Sequence, residues 1–211
     1  MITLIISQNS TDAIEKTLTT IKLGGVVAVP TDTVYGLACA VDNSAAIESL
    51  YQIKNRESIK AIPVLIADLS QINLVAKSMN KKALKLAKTF WPGAMTIIVA
   101  KNELLPANLT THPTVGVRIP DHDWLRAIIH ATGPLAATSA NISGEASPAT
   151  ANQVLEQLGG RIELIIDGGE CKGGISSTVV DCSTEDINIL REGGIPTKEI
   201  LSALREESNL E

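Results

Sequence analysis

The residues of this chain best suited to chemistry are polar side chains that follow short apolar runs. They are Thr33, Arg118, Ser139 with Asn141, Ser177 and Arg191, joined by the cationic stretch Lys54-Asn55-Arg56-Glu57-Ser58-Ile59-Lys60. Such a set suits an anionic ligand with several polar handles: Lys and Arg engage phosphate or carboxylate oxygens, and hydroxyls and amides orient the rest. Each member also has a plainer account. Cations can answer a helix dipole, Ser139 to Gly144 can be a turn, Arg118 a surface salt bridge and Arg191 half of a cross-strand pair. Those accounts do not explain why all of them gather at the ends of secondary-structure elements, and the conjunction favours a site.

Other chemistries find little support. Gly168-Gly169-Glu170-Cys171-Lys172-Gly173-Gly174 is not G-x-x-x-x-G-K-[ST], no G-x-G-x-x-G follows a strand, and no G-x-S-x-G is present. Cys39, Cys171 and Cys182 show no C-x-x-C spacing, and His112, His122 and His130 form no H-E-x-x-H. No protein-held metal site is expected. The cysteines read as buried free thiols of a reducing compartment.

The elements that must position these residues follow from periodicity. Val26 to Val29 is a continuous apolar run of the kind buried on both faces of a sheet, and Pro30 denies the next ladder hydrogen bond. The Thr31-Asp32-Thr33 turn, Tyr35 and Gly36 come next, delivered where a strand must stop. Further strands are expected at 3–6, 63–67, 96–99, 115–119, 135–138, 163–166, 177–181 and 187–191. Helices are expected at 11–23, 43–53, 69–77, 81–90 and 150–158, with one capped by Asp121 and a C-terminal one capped by Thr197. Val115, Val117 and Ile119 alternate with Gly116 and Arg118, so Arg118 projects from the face opposite the apolar one. Trp91-Pro92-Gly93 breaks a helix and opens another strand.

The 211 residues, 45% of them hydrophobic, are read as one domain, with a frayed tail after about residue 206. Aromatics make up only 2%, so the core is aliphatic, which suits an α/β architecture: a twisted, open, mixed sheet flanked by helices. A net charge of −5 and scarce aromatics weigh against nucleic-acid binding as the main activity. The N-terminus lacks a basic region before its short apolar run, and no stretch approaches bilayer length, so a cytoplasmic protein without membrane contact is expected.

Several motifs together resemble the YrdC-like family. They are P-T-D-T-V-Y-G-L at Pro30 to Leu37, K-x-R at Lys54 to Arg56, W-P-G-x-x-T at Trp91 to Thr96 and V-x-V-R-x-P at Val115 to Pro120. S-A-N-x-S-G at Ser139 to Gly144, S-T-V-V-D at Ser177 to Asp181 and R-E-G at Arg191 to Gly193 complete the set. Their order and spacing cover nearly the whole chain, and they are most similar to members that make threonylcarbamoyl-AMP.

The resemblance implies the YrdC-like fold with a deep basic cavity, and a nucleotidyltransferase. L-threonine, bicarbonate and ATP would give threonylcarbamoyl-AMP and pyrophosphate, for a downstream tRNA threonylcarbamoyl transferase complex that modifies the position beside the anticodon. It assigns Thr33, Arg118, Ala137 and Ser177 to threonine. It assigns Arg56, Lys60, Thr114, Ser139, Ser147 and Arg191 to ATP, and Lys54, Arg56, Ser139 and Asn141 to the catalytic group. Mg2+ would ride on the ATP phosphates, with Asp32 as an outer contact. A weak RNA contact is a further expectation.

The chain departs from the family where relatives read K-x-R-P-x-x-K-P-L: Glu57 replaces the first Pro, and Ala61-Ile62 replaces Pro-Leu. That loop should be less stiff. Alternatives are a double-stranded RNA-binding YrdC-like protein without this activity, and a carbamoyl-adenylate-forming relative.

Overall fold

The computed structural model describes residues 1–57 and 60–205. The expected frayed tail lies outside the described residues. The strands are β1 (Leu4–Ser7), β2 (Val27–Val29), β3 (Gly36–Ala40), β4 (Val64–Leu65), β5 (Ala76–Ser78), β6 (Met95–Lys101), β7 (Thr114–Arg118), β8 (Leu135–Ser139), β9 (Leu164–Asp167), β10 (Thr178–Asp181) and β11 (Asn188–Arg191). The α-helices are α1 (Ala13–Lys22), α2 (Ser44–Ile53), the single turn α3 (Ile72–Val75), α4 (Lys81–Phe90), α5 (Asp123–Thr132), α6 (Ala151–Leu158) and α7 (Thr197–Arg205).

The strands form one sheet in the order β1-β9-β2-β3-β8-β4-β7-β6-β10-β11, with β5 paired to β6. Directions are mixed. β1 and β2 run parallel to β9, β4 to β7 and β6 to β10, and the remaining neighbours are antiparallel. This is the open mixed α/β sheet that the aliphatic composition and the interspersed helices imply.

Each face of the sheet has its own core. On one face α2, α4, α6 and α7 bury Leu50, Leu86, Val154 and Ile200 against Leu37, Val64, Ile97 and Val117. On the other face α1 and α5 bury Ile21, Leu125 and Ile129 against Val27, Val29, Leu65, Leu135 and Leu164. A fully buried aliphatic side chain of this kind contributes about 1.5–3 kcal/mol. The helices begin on side-chain caps: the Asn43, Asn80 and Thr150 side chains accept from the amides of Ala46, Ala83 and Gln153.

Three expectations change. The stretch 36–40, which lies outside the expected strands, is a strand, and it pairs antiparallel with both β2 and β8. Residues 69–77 are not one helix: a 3-10 turn at Leu69–Gln71 and α3 give way to β5, because Ala76 and Ser78 find partners in Lys101 and Ala100. The cap of α5 is His122, whose Nδ1 accepts from the Leu125 amide at 3.3 Å, one residue later than Asp121. The three cysteines are free and buried. Among the described residues no helix is long and apolar enough to cross a membrane.

Candidate functional site

The α1/α5 layer stops short of the sheet's far half. Along β6, β7 and β10, the residues Ile97, Val99, Val115, Val117 and Val180 point into the α2/α4/α6/α7 core. Strand alternation therefore turns Thr96, Ile98, Gly116, Arg118 and Val179 to the opposite face, which α1 and α5 leave uncovered there. Those five line a cavity of about 300 Å³, whose other walls come from Thr31, Thr33 to Gly36, Arg56, Ala61, Pro63, Leu65, Ala137 to Ser139, Ser176, Ser177 and Arg191. Three arginines and no carboxylate are among the lining residues.

Arg118 ends β7 and is only 7% exposed. Its Nε donates to Gly93 O at 2.9 Å, Nη1 to Thr33 Oγ1 at 2.9 Å and Nη2 to Asp32 Oδ1 at 2.6 Å. The turn after β2 is organised by Thr31. Its Oγ1 donates to Val34 O at 2.7 Å and accepts from the Thr33 and Val34 amides, a local side-chain turn that lets the backbone leave the strand. Thr31 and Thr33 hydroxyls lie 2.9 Å apart. With the Thr31 proton on Val34 O, Thr33 donates to Thr31 and accepts from Arg118. Tyr35 closes the turn: its hydroxyl donates to Gly169 O at 2.8 Å and accepts from the Gly168 amide, and burial pushes it up to about 12.

The K-x-R pair is split by the end of α2. Asn55 takes the left-handed conformation (φ 49°), with its amide on Gln52 O and that of Arg56 on Tyr51 O, the paired bonds of a Schellman cap. Lys54 is thereby turned inward and Arg56 toward the cavity. Lys54, 1% exposed, donates through Nζ to the carbonyls of Ser139 and Asn141 and to Asn141 Oδ1. Burial first, and the Arg56 guanidinium second, push this ammonium down to about 7, while the three oxygens around it favour the charged form. Arg56 donates to Lys60 O and Ala61 O.

Asn141 is spent on structure: its Oδ1 accepts from Lys54 and Ser139 Oγ, and its Nδ2 donates to Ile142 O and Glu145 O. Ser139 keeps a place in the lining. On the remaining wall Ser177 Oγ pairs with Thr96 Oγ1 at 2.8 Å, and Arg191 holds Ser177 O through Nε and Nη2. Burial, and then the charge of Arg118, lower Arg191 below the usual guanidinium range. Gly193 makes this wall possible, because a Cβ there would stand 2.1 Å from Ser176 O.

Of the residues assigned to threonine, Thr33, Arg118, Ala137 and Ser177 all line the cavity; so do Arg56, Ser139 and Arg191 of those assigned to ATP. The amide of Ala137 is taken by Pro63 O. Lys60, Thr114 and Ser147 fall outside the lining, as do Lys54 and Asn141, which brace the loop behind Ser139. Asp32 is engaged by Arg118. Sequence reasoning passed over Thr31, Thr96 and Gly116 as individuals, although each lies inside a quoted motif. Only the chain's return paths bring their faces together.

The Sua5/YciO/YrdC family model, described as telomere recombination, matches residues 19–193. Threonylcarbamoyl-AMP synthase of Pyrococcus abyssi is 40% identical over 188 residues, 88% of this chain and 55% of that protein. The enzyme of the same name from Bacillus subtilis is 43% identical over 182 residues, 85% of this chain and 52% of that protein. The chain thus spans about half the length of these curated relatives. The crystal structure of P. abyssi Sua5 complexed with L-threonine superposes with a TM-score of 0.91 at 37% identity, over 97% of this chain and 61% of that one. With the match covering most of the chain, the protein belongs to the Sua5/YciO/YrdC family.

Proposed function

We propose that the chain makes threonylcarbamoyl-AMP and pyrophosphate from L-threonine, bicarbonate and ATP, in the cytoplasm, and that the product feeds tRNA threonylcarbamoylation. The observation that carries this reading is one cavity holding a braced Arg118 beside Thr33 and Ser177 together with Arg56 and Arg191. Arg118 has five N–H donors, and its three fixed acceptors leave one on each terminal nitrogen for the oxygens of a carboxylate. Arg56 and Arg191 supply delocalised charge for phosphate oxygens. The threonine names of the relatives support the carboxylate assignment.

The chemistry asks the protein mainly for position and charge. The amine of threonine adds to carbon dioxide drawn from bicarbonate and loses a proton, giving a carbamate. A carbamate oxygen then attacks the α-phosphorus of ATP in line as pyrophosphate leaves. Held reactants and neutralised phosphate charge lower such a barrier without a strong protein base. We assign magnesium to the nucleotide as MgATP. Among the described residues no group of three or more His, Cys, Asp or Glu could hold the ion, and Asp32 is paired with Arg118.

The test is to incubate the purified chain with MgATP, L-threonine and 13C-bicarbonate and follow pyrophosphate and adenylate by mass spectrometry. Labelled threonylcarbamoyl-AMP that disappears when threonine is withheld is expected. Pyrophosphate release indifferent to threonine overturns the reading, and product formed only with carbamoyl phosphate identifies the carbamoyl-adenylate alternative.

A further inference from the structure

Asp32 touches the cavity's central arginine from behind. Its carboxylate is mostly buried, with the side chain 15% exposed, and Oδ1 accepts from Arg118 Nη2 at 2.6 Å. It is not among the residues that line the cavity with Arg118. It opens instead on a second cavity of about 670 Å³, shared with Asp121, His122, Glu170 and Lys172. The Asp32–Arg118 pair therefore forms part of the partition between two cavities, with the guanidinium facing one and the carboxylate the other.

The mount of this carboxylate is itself braced. Asp32 O accepts from the Gly173 amide at 3.1 Å, and the approach is so close that a Cβ on Gly173 would stand 2.6 Å from that oxygen. Thr33, the next residue, takes Nη1, and Gly93 O takes Nε, so each nitrogen of the guanidinium has one fixed acceptor. Three acceptors on three nitrogens define both the plane and the rotation of a rigid fork.

Arg191 lines the same cavity, and the charge of Arg118 lowers its proton affinity, so the Asp32 carboxylate also offsets repulsion between two neighbouring cations. Without that anion the guanidinium would keep two neutral acceptors and lose the one that opposes this repulsion, and an arriving ligand would have to order the fork itself. An ordering cost of that kind subtracts directly from affinity.

We propose that Asp32 is a positioning residue, which holds the Arg118 fork in its receiving orientation before an anionic ligand enters. The inference rests on the reading that Arg118 receives the carboxylate of L-threonine. It differs from a competition model, in which Asp32 occupies the place of the ligand's carboxylate, because Asp32 reaches Arg118 from the second cavity.

The experiment is calorimetric titration of L-threonine into the full chain, with ATP affinity and melting temperature measured on the same samples. Asp32→Asn keeps the shape and removes the charge. Asp32→Glu keeps the charge and lengthens the arm. Both are expected to bind L-threonine at least about tenfold more weakly, the size of one misplaced charge-assisted hydrogen bond, with ATP affinity in the absence of threonine within about twofold of the parent. Unchanged L-threonine affinity in either folded variant, or tighter binding by Asp32→Asn, overturns the proposal. Failure of both variants to fold also overturns it, making Asp32 a purely structural residue. A parent chain that shows no saturable L-threonine binding instead fails the functional reading, and this inference falls with it.

Discussion

Arg118 and Arg56 line the same cavity, yet the chain mounts them differently. The acceptors of Arg118 come from distant parts of the sequence: Gly93 lies 25 residues away, Thr33 85 and Asp32 86. The acceptors of Arg56 are Lys60 O and Ala61 O, four and five residues along its own loop. Contacts from remote elements hold a side chain against the fold as a whole, whereas contacts within one loop move with that loop. On the proposed reading, the Arg118 wall is preorganised for a ligand of defined shape, and the Arg56 wall supplies charge. Recognition of a small amino acid needs the first, and a triphosphate, with many equivalent oxygens, tolerates the second.

The sharpest test of this contrast replaces the fork itself. Arg118→Lys keeps the charge but cannot satisfy three fixed acceptors and a carboxylate, so L-threonine affinity is expected to fall by about 1–3 kcal/mol, with ATP affinity little changed. Normal threonine affinity alongside a lowered melting temperature would remove Arg118 from the site and leave it a structural salt bridge.

A remote change should reach the same wall. In Gly173→Ala the new methyl would meet Asp32 O at 2.6 Å and Thr33 Cα at 3.1 Å, both backbone atoms that cannot rotate aside. A destabilisation of about 1–2 kcal/mol, read by denaturant unfolding, is expected together with weaker L-threonine binding. Parent-like threonine affinity in this variant would mean that the turn is less tightly coupled to Arg118 than its hydrogen bonds imply.

The loop wall should respond more mildly and more selectively. Arg56→Ala is expected to weaken ATP by about 1 kcal/mol, since one charge-assisted contact is lost. Lys60→Ala, outside the cavity lining, should stay within about 0.5 kcal/mol of the parent. Equal losses in the two variants, by equilibrium dialysis with ATP, would place Lys60 on the nucleotide as well.

The smallest expected signal concerns Lys54, which braces the Ser139 loop. In the folded chain its proton leaves near 7, and in the unfolded chain only near 10.5. Between those values the unfolded state binds more protons, so the contribution of Lys54 to stability rises with pH. The difference in melting temperature between the parent and Lys54→Met should therefore widen in the parent's favour from pH 7 to pH 10. A flat difference would show that the carbonyls around Nζ keep the ammonium charged throughout.

Local pattern explains why much of this molecule was legible. α4 occupies the expected residues Lys81–Phe90, since an apolar stripe and Asn80 as a cap define both its face and its start. The alternation in Thr114–Arg118 placed Val115 and Val117 in the core and Arg118 on the opposite face, because successive side chains of a strand must point apart. β3 was not legible. Gly36, Ala38 and Ala40 are small residues with no β preference of their own, and their extended form comes from pairing with β2 and β8. β5 was hidden for the same reason, as its partner β6 lies downstream in the chain.

The sequence by itself determined which residue types the site would have and roughly where the chain would offer them: hydroxyls after β2 and before β10, an arginine at the end of β7, cations after α2. It did so because strand periodicity, helix ends and motif order are local properties. Only the tertiary structure decided which cation faces the cavity. Lys54 and Arg56 are two positions apart and alike in charge, but a left-handed Asn55 stands between them, and carbonyls 85 and 87 residues downstream claim the first. A buried ammonium goes where oxygen acceptors can offset its lost hydration, and those acceptors exist only once Ser139 and Asn141 have been brought beside α2.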